Sequence, residues 1–319
     1  MTTPDNSSPH VARYAFFLGC VMPVKMPWAE SAIMQALPRL GIDLTYVTKS
    51  TCCPRAGVWV SVDRWVWLTL ASYNLLQAEQ AGRDLMASCN GCYVTLYEAN
   101  QILKENPEEL SRVNEYLQET NNQYHASIQV KHLLEVLCEE VGIEKIQKAG
   151  QKVPIRVVLH PGCHMRVFED GRLVTNFNAL AEALTDEVVH YNTEQNCCGL
   201  QANLADREYA TYELAKKKLD EIKELNIDAL VIVCSGCYDQ FERTIKTLEK
   251  EIGYTFEIPI IHLAELLALS IGISPDEFGM RLIRTSPVEP IIEKWELGRK
   301  ENLPCPDGRQ GHGKMDEIK

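Results

Sequence analysis

The stretch that decides the fold is IRVVLHPGC at residues 155–163, a short apolar run that ends in Cys163. An equivalent run, YAFFLGC, occupies residues 14–20 and ends in Cys20. Short continuous apolar runs that stop at glycine or proline are typical of buried strands in parallel sheets. Each half of the chain is therefore predicted to begin with a buried strand whose carboxyl end delivers a cysteine.

Outward from these strands, one cysteine pattern is written twice: a single cysteine, an adjacent pair and a CxxC motif. Ten of the twelve cysteines belong to it. The first set is Cys20, Cys52, Cys53, Cys89 and Cys92, and the second set is Cys163, Cys197, Cys198, Cys234 and Cys237. The sets are offset by 143 residues at the first cysteine and by 145 at the other four. The chain is therefore a tandem duplication, and its function is expected to lie in these sets.

The segments between the cysteines alternate between strand and helix patterns. Further strands are predicted at 43–47, 84–88, 187–191 and 229–233, and helices at 28–40, 58–82, 93–106, 173–184, 203–225 and 238–251. This alternation predicts an α/β protein made of two tandem-duplicated small domains, each with a short parallel sheet. Sites in such sheets lie in loops beyond the carboxyl ends of the strands, and all the cysteine loops fall there.

The repeat also predicts the domain boundaries. The first cysteine-rich domain is expected at 1–150, the second at 151–297, and a flexible or partner-bound tail rich in proline and glycine at 298–319. Two cysteines stand outside the sets. Cys138 lies in an apolar helical stretch and is expected to fill the core, whereas Cys305 lies in the tail and is expected to bind nothing.

The overall composition limits the function classes. The net charge is −12, which disfavours nucleic acid or an anionic membrane as a general partner. Residues 1–11 lack the basic start and apolar run of a signal peptide. No segment reaches the roughly 18–20 uninterrupted apolar residues of a membrane span. A cytoplasmic location is therefore expected, where thiols stay reduced and a dense cysteine pattern indicates metal or redox chemistry.

Five thiols per set do not match the common metal sites. A tetrahedral zinc or a cubane cluster needs four ligands, whereas an adjacent cysteine pair can serve two irons of a larger, irregular cluster. Two zinc sites with a spare thiol each remain an alternative. A thioredoxin-like dithiol at one CxxC would leave the other cysteines unexplained, and inert core cysteines have no reason to repeat.

The residues around the cysteines resemble a known family. They are Phe17-Leu18-Gly19-Cys20 followed by Met22-Pro23, Cys52-Cys53-Pro54, His160-Pro161-Gly162-Cys163 and Cys197-Cys198-Gly199. Over nearly the whole chain the pattern resembles the tandem CCG-domain proteins, most closely the B-subunit family of heterodisulfide reductase. A bacterial heterodisulfide reductase-like branch of that family serves sulfur oxidation, and the pattern does not separate the branches.

The resemblance implies that each set binds a non-cubane 4Fe–4S cluster, described as a fused 3Fe–4S and 2Fe–2S unit. The ten cysteines of the two sets would be the iron ligands and would be catalytic through their clusters. In the family archetype a disulfide lies between the two clusters and is split homolytically. The function implied is that of the catalytic iron–sulfur subunit of a heterodisulfide reductase-like complex. The alternative is a non-catalytic electron-transfer protein or a zinc-stabilised scaffold within a redox complex.

Partners follow from what the sequence lacks. It has no C-x2-C-x2-C-x3-C-P run for cubane clusters and no glycine-rich nucleotide fingerprint. The resemblance therefore implies two partners similar to those of the family's complexes, namely a cubane iron–sulfur protein and, behind it, a flavoprotein. The substrate would be the coenzyme M–coenzyme B heterodisulfide in methanogens. In bacterial complexes it would be a thiol, a persulfide or a protein-bound, lipoamide-linked sulfur.

A few other side chains are candidates for the site. Four charged or titratable residues that follow cluster cysteines closely are interpreted as binding an anionic substrate or screening the charge of a cluster, with solvated loop charges as the alternative: Lys25, Arg55, His164 and Arg166. His132 and His262 occupy equivalent repeat positions and are expected to be structural, for example as helix caps. Trp59, Trp65 and Trp67 are interpreted as core packing, with a partner-docking surface as the alternative.

Overall fold

The structure is a computed structural model that describes residues 12–167, 170–282, 284 and 287–301. Cys305 and the predicted tail from residue 302 onward lie outside the described residues. Within them, the last helix ends at Glu301 and so includes the first four residues of the segment expected as a tail.

The strands of the described chain form two four-stranded parallel sheets. In chain order they are β1 (Arg13–Phe17), β2 (Asp43–Tyr46), β3 (Asp84–Ala87), β4 (Val130–His132), β5 (Val153–His160), β6 (Thr185–Val188), β7 (Ala229–Ile232) and β8 (Ile260–His262). The sheet orders are β2-β1-β3-β4 and β6-β5-β7-β8, with every pair parallel. The predicted duplicated α/β fold is confirmed, whereas the exact domain boundaries stay predictions. The edge strands β4 and β8 were not predicted.

Helices connect the strands in the same order in both halves. The first half contains α1 (Met22–Lys25), α2 (Pro27–Arg39), α3 (Ala56–Val62), α4 (Arg64–Gln80), α5 (Asn90–Glu105), α6 (Pro107–Gln118), α7 (Leu133–Glu135) and α8 (Ile143–Ala149). The second half contains α9 (Arg172–Leu184), α10 (Lys217–Lys223), α11 (Ser235–Ile252), α12 (Leu263–Ser270) and α13 (Glu289–Glu301). Wider turns of π-helix cover Val136–Val141 and Tyr209–Lys216.

Two predicted helices are divided in the structure. The helix expected at 58–82 breaks at Asp63, whose extended backbone and carboxylate cap α4 by accepting from the backbone N–H groups of Trp65 and Val66. Capping satisfies donors that have no partner within a helix. The helix expected at 203–225 consists of a 3₁₀ turn, Ala202–Leu204, the π-helical segment Tyr209–Lys216 and α10.

The break at Asp63 separates the roles of the tryptophans. Trp67 is buried and its Nε1–H donates to Thr95 Oγ1 at 2.8 Å, so the core-packing interpretation holds for it. Trp65 is half-buried beneath Arg112, whose guanidinium lies 3.9 Å from the ring centroid. Trp59 on α3 is 41% exposed, so the docking interpretation stays a prediction for this residue.

Helix packing joins the two halves. Helix α2 packs against α12, all of whose residues are buried, and α9 packs against α7 and α8. Arg172 Nη2 bonds Glu135 Oε1 across the junction at 3.1 Å. The junction therefore buries apolar side chains from both halves. No helix in the described ranges has the length and apolar character needed to cross a membrane.

Candidate metal centre

The strand order brings the cysteines together. In each sheet the strand order reverses between the two central strands, which are β1 and β3 in the first half and β5 and β7 in the second. Ligand sites of open α/β sheets form at the carboxyl ends of such strands. Cys20 and Cys89 follow β1 and β3, and Cys163 and Cys234 follow β5 and β7. The four cysteines therefore lie at the two switch points.

A glycine before the first cysteine turns each strand toward the cavity. Gly19 and Gly162 have φ angles of +69° and +76°, in the left-handed region that favours glycine. A Cβ atom at Gly19 would lie 2.9 Å from Cys92 Sγ, and one at Gly162 would lie 3.4 Å from Cys237 Sγ. The backbone can therefore pass close to the sulfur atoms of each set only where no side chain intervenes.

The two sets meet in a single cavity. Nine of the ten cysteines of the two sets line this cavity, and Cys52 is not among its lining residues. In the second set Cys163 Sγ and Cys197 Sγ lie 3.9 Å apart. Cys89 Sγ and Cys234 Sγ lie 3.6 Å apart and join the sets. The two sets are therefore in contact at the junction of the two halves.

The close packing of these thiols favours the binding of metal ions, which neutralise the negative charge of thiolates. The neighbouring thiols of Cys53 and Cys89, together with burial, raise the pKa of Cys92. The pKa of Cys237 is raised in the same way, by the neighbouring thiols of Cys198 and Cys234 and by burial. Buried thiolates in contact repel one another unless protons or metal ions neutralise them. Thiolate sulfur is the ligand that iron–sulfur clusters and zinc prefer, so the donor chemistry of both sets fits such a group.

The amino-terminal ends of two helices stabilise negative charge on the sulfur atoms of the CxxC motifs. Cys89 and Cys234 immediately precede α5 and α11, which have 16 and 18 residues. The first N–H groups of a helix lack internal partners, and the helix dipole stabilises negative charge at this end. Each CxxC motif is thus placed where thiolates or an anionic cluster are stabilised.

Two buried side chains near the second set were missed as site residues. His160 is fully buried, and one of its ring nitrogens and the Sγ atoms of Cys198 and Cys237 form a group within 4.8 Å. Burial lowers the pKa of His160 to about 3, which keeps the imidazole neutral. The sequence signal was available, because a histidine stands where the first half has the apolar Phe17.

Lys218 is the second buried side chain near this set. Its ammonium group donates to the Thr193 carbonyl and, at 3.0 Å, to the Glu194 carbonyl. These bonds hold the loop that carries Cys197 and Cys198. Burial lowers the pKa of Lys218 to about 8. In the first half the neutral Asn74 holds the corresponding loop by accepting from Thr51 N at 2.7 Å and donating to the Cys52 carbonyl.

The four predicted substrate residues fall in different places. Arg55 and His164 line the cavity together with Gln201, and Arg55 Nη1 lies 3.4 Å from Gln201 Oε1. Lys25 instead forms an ion pair with Glu242 at 3.2 Å, which links the two halves. Arg166 is exposed and is not among the residues of the cavity wall. The substrate role of all four stays a prediction, and geometry supports it for Arg55 and His164.

The repeated histidines cap helices, as expected. His132 Nδ1 accepts from Leu134 N at 3.1 Å, and His262 Nδ1 accepts from Ala264 N at the same distance. Glu135 and Glu265 complete two capping boxes by accepting from the backbone N–H groups of His132 and His262. The predicted structural role is therefore confirmed.

His132 also reaches the cysteine site. Its Nε2 lies 3.0 Å from Asn90 Oδ1, and Asn90 Nδ2 donates to the Pro161 carbonyl at 2.7 Å. Asn90 lies inside the first CxxC motif, and Pro161 lies beside the first cysteine of the second set. This hydrogen-bonded path links the two sets.

Cys138 lies away from the two sets, half-buried against the core, where burial raises its pKa to about 12.

Comparison with known proteins agrees with this geometry. The cysteine-rich (CCG) domain family matches residues 14–97 and 157–242. The chain is 32% identical over 295 residues to the B subunit of the ferredoxin/F420H2-dependent CoB–CoM heterodisulfide reductase of Methanosarcina acetivorans, covering 90% of this chain and 98% of that protein. It is 33% identical over 296 residues to a protein of Archaeoglobus profundus described as like the B subunit of heterodisulfide reductase, covering 89% and 98%.

A more distant relative and one solved structure extend the comparison. The 8-methylmenaquinol:fumarate reductase membrane anchor subunit of Wolinella succinogenes is 26% identical over 273 residues, covering 84% of this chain and 95% of that protein. The crystal structure of a hypothetical protein from Helicobacter pylori matches with a TM-score of 0.68 at 16% identity, covering 88% of this chain and 53% of that one, and supports the fold alone.

The relatives from Methanosarcina acetivorans and Wolinella succinogenes are named as subunits of reductases, and the family indicates iron–sulfur clusters. The match spans both halves and includes both cysteine sets. This chain belongs to the tandem cysteine-rich-domain family that contains the B subunits of heterodisulfide reductases.

Proposed function

We propose that this chain is the catalytic iron–sulfur subunit of a heterodisulfide reductase-like complex. It would reduce or form a sulfur–sulfur bond between two non-cubane 4Fe–4S clusters, each held by one cysteine set. The observation that carries this proposal is the 3.6 Å separation of Cys89 Sγ and Cys234 Sγ, because it places both sets on one cavity. A cytoplasmic location, where the thiols stay reduced, is part of the proposal.

The duplication matches the electron count of disulfide chemistry. A disulfide takes up two electrons and two protons to give two thiols, and the reverse reaction releases them. Two iron–sulfur clusters would supply the two electrons, one from each centre. Because the two sets face a single cavity, a sulfur–sulfur bond of the substrate can lie between them.

Side chains at the cavity wall would position the substrate. Arg55 comes from the first half, and His164 and Gln201 come from the second. A guanidinium group binds carboxylate, sulfonate or phosphate groups through two parallel hydrogen bonds. Val21 and Leu200 complete the wall with apolar surface that limits access of water. The proposed substrate is therefore an anionic disulfide or thiol, or a protein-bound sulfur that enters on a flexible arm.

Electrons would pass between this chain and other proteins of the complex. The relative from Methanosarcina acetivorans belongs to a reductase whose name mentions ferredoxin and F420H2. We propose that the immediate partner carries cubane iron–sulfur clusters and that a flavoprotein lies behind it, because the chain has no motif for either group.

Metal and sulfide analysis of anaerobically purified protein tests the proposal. We expect about eight irons and about eight sulfides per chain. The same preparation should reduce an anionic disulfide with a reduced viologen as electron donor. Zinc at one or two ions per chain without sulfide would overturn the proposal. Iron-loaded protein that exchanges electrons but shows no disulfide turnover would favour the electron-transfer alternative.

One observation favours zinc as a second candidate for the second set. His160, Cys198 and Cys237 are grouped within 4.8 Å, and two cysteines with one histidine are common zinc donors. Zinc there with iron in the first set would make the second half a structural scaffold. Separate metal contents of Cys53→Ala and Cys198→Ala proteins distinguish this case, because only Cys198→Ala would lose zinc.

A further inference from the structure

One repeat position carries different chemistry in the two halves. Phe17 is the last residue of β1, and His160 is the last residue of β5. They pair with the equivalent residues Ala87 and Ile232 on the neighbouring strands. Both rings are buried. The position is therefore matched in backbone geometry and burial and differs in the ring itself.

The two rings also occupy the same place relative to the cysteines. From a Cβ built on Gly19, Cys92 Sγ lies at 2.9 Å and Phe17 Cε1 at 3.9 Å. From a Cβ built on Gly162, Cys237 Sγ lies at 3.4 Å and His160 Nε2 at 3.8 Å. In the second half His160 Nε2 therefore lies near Gly162 and Cys237, whereas in the first half Phe17 Cε1 lies near the equivalent residues Gly19 and Cys92.

The His160 ring finds no hydrogen-bond partner among the described residues. Both of its ring nitrogens are buried without one. Phe241 packs against the ring edge-to-face, with centroids 5.0 Å apart, and holds its orientation. A buried polar group without a partner is costly, and such groups in native proteins usually indicate a ligand or a functional role. One ring nitrogen of His160 lies within 4.8 Å of the sulfur atoms of Cys198 and Cys237.

We propose that His160 donates an N–H hydrogen bond to a sulfur atom of the second iron–sulfur centre and holds its reduction potential above that of the first. This inference rests on the proposed function, because it requires iron–sulfur clusters in both sets. Hydrogen bonds to cluster sulfur stabilise the reduced, more negative state and are among the main determinants of its potential. Phe17 offers no such donor, so the two centres are inequivalent although their ligands are the same.

The consequence concerns the order of electron uptake. The centre with the higher potential is reduced first when electrons arrive singly. His160 is therefore a positioning residue that directs the first electron to the second set, while the first set fills at lower potential. Both electrons are then available at one cavity for a two-electron disulfide reaction.

An anaerobic redox titration followed by electron paramagnetic resonance tests the inference on the full chain. In His160→Phe, which copies the first half, the higher of the two midpoint potentials should shift to a more negative value while the lower one stays unchanged. His160→Gln keeps an N–H donor and should retain most of the potential of the unsubstituted protein. The reciprocal Phe17→His should raise the lower potential. Iron and sulfide contents serve as the control for each protein.

Unchanged potentials in fully loaded His160→Phe would overturn the inference. A spectroscopic test avoids any dependence on folding of that variant. In protein with ¹⁵N-labelled histidine, one nitrogen should show a weak hyperfine coupling to the second centre, and His164→Gln should retain it. Absence of this coupling, or a strong coupling that shows direct iron–nitrogen bonding, contradicts the proposed hydrogen bond. Failure of the proposed function is a separate result, because the unsubstituted chain would then contain no pair of iron–sulfur centres.

Discussion

The two halves share their thiols but differ in what surrounds them. In the first half Cys20 and Cys52 are exposed, whereas their counterparts Cys163 and Cys197 are half-buried. The first set lies beside apolar Phe17, and the second lies beside the polar ring of His160. The comparison shows that the duplication kept the donor atoms while burial and hydrogen bonding diverged. Because these factors set the potential and access of a metal centre, identical ligands do not imply equivalent sites.

The largest effect is expected when one cysteine ligand is removed from either half, in two separate proteins. Cys198→Ala should abolish disulfide turnover and reduce the iron content to about half, because one cluster is lost. Cys53→Ala, its counterpart, should have the same effect on turnover. Iron and sulfide analysis and a viologen-coupled disulfide assay measure both results. Full turnover in either variant would contradict a mechanism that needs both sets.

A second test compares the residues that hold the two paired-cysteine loops. Lys218→Met leaves the carbonyls of Thr193 and Glu194 without their donor, and should lower the free energy of unfolding by about 2–4 kcal/mol. Asn74→Ala should lower it by about 1–2 kcal/mol, because the bonds lost are between neutral groups. Anaerobic denaturant unfolding measures both values. Equal losses would show that the Lys218 charge adds nothing to loop stability.

A third test concerns the cavity wall. Arg55→Ala should raise the KM for an anionic disulfide by about tenfold, because a charge-assisted hydrogen bond is lost, with little change in kcat. Iron content should be unaffected, since Arg55 is not a metal ligand. Arg166→Ala is the matched control and should leave KM unchanged, because this residue is exposed outside the cavity wall. Steady-state kinetics with a neutral disulfide should show no effect of either change.

The smallest expected effect distinguishes the two capping histidines. His262→Ala should lower the free energy of unfolding by about 1 kcal/mol through loss of a helix cap. His132→Ala should cost about 1 kcal/mol more, because its Nε2 also bonds Asn90. Thermal or denaturant unfolding of the two variants gives the difference. Equal values would show that the Asn90 contact does not stabilise the junction between the sets.

Sequence reasoning succeeded where the pattern is local. Strands before Cys20 and Cys163 follow from continuous apolar runs, and the caps at His132 and His262 follow from their repeated position. It failed where one residue interrupts a long periodic pattern, as at Asp63. The three-residue strands β4 and β8 were also missed, because such short segments carry too little periodicity to distinguish them from a helix start.

The sequence by itself determined the duplication, the parallel α/β halves and the placement of the cysteine loops beyond the carboxyl ends of the strands. These features depend on spacing and hydrophobic pattern along one segment at a time. The tertiary structure alone decided that the sets meet at 3.6 Å, that His160 is buried without a partner among the described residues, and that Lys25 binds Glu242. The physical reason is that these contacts join residues distant in the chain. Their distances depend on how α2 packs against α12 and α9 against α7, which no local pattern specifies.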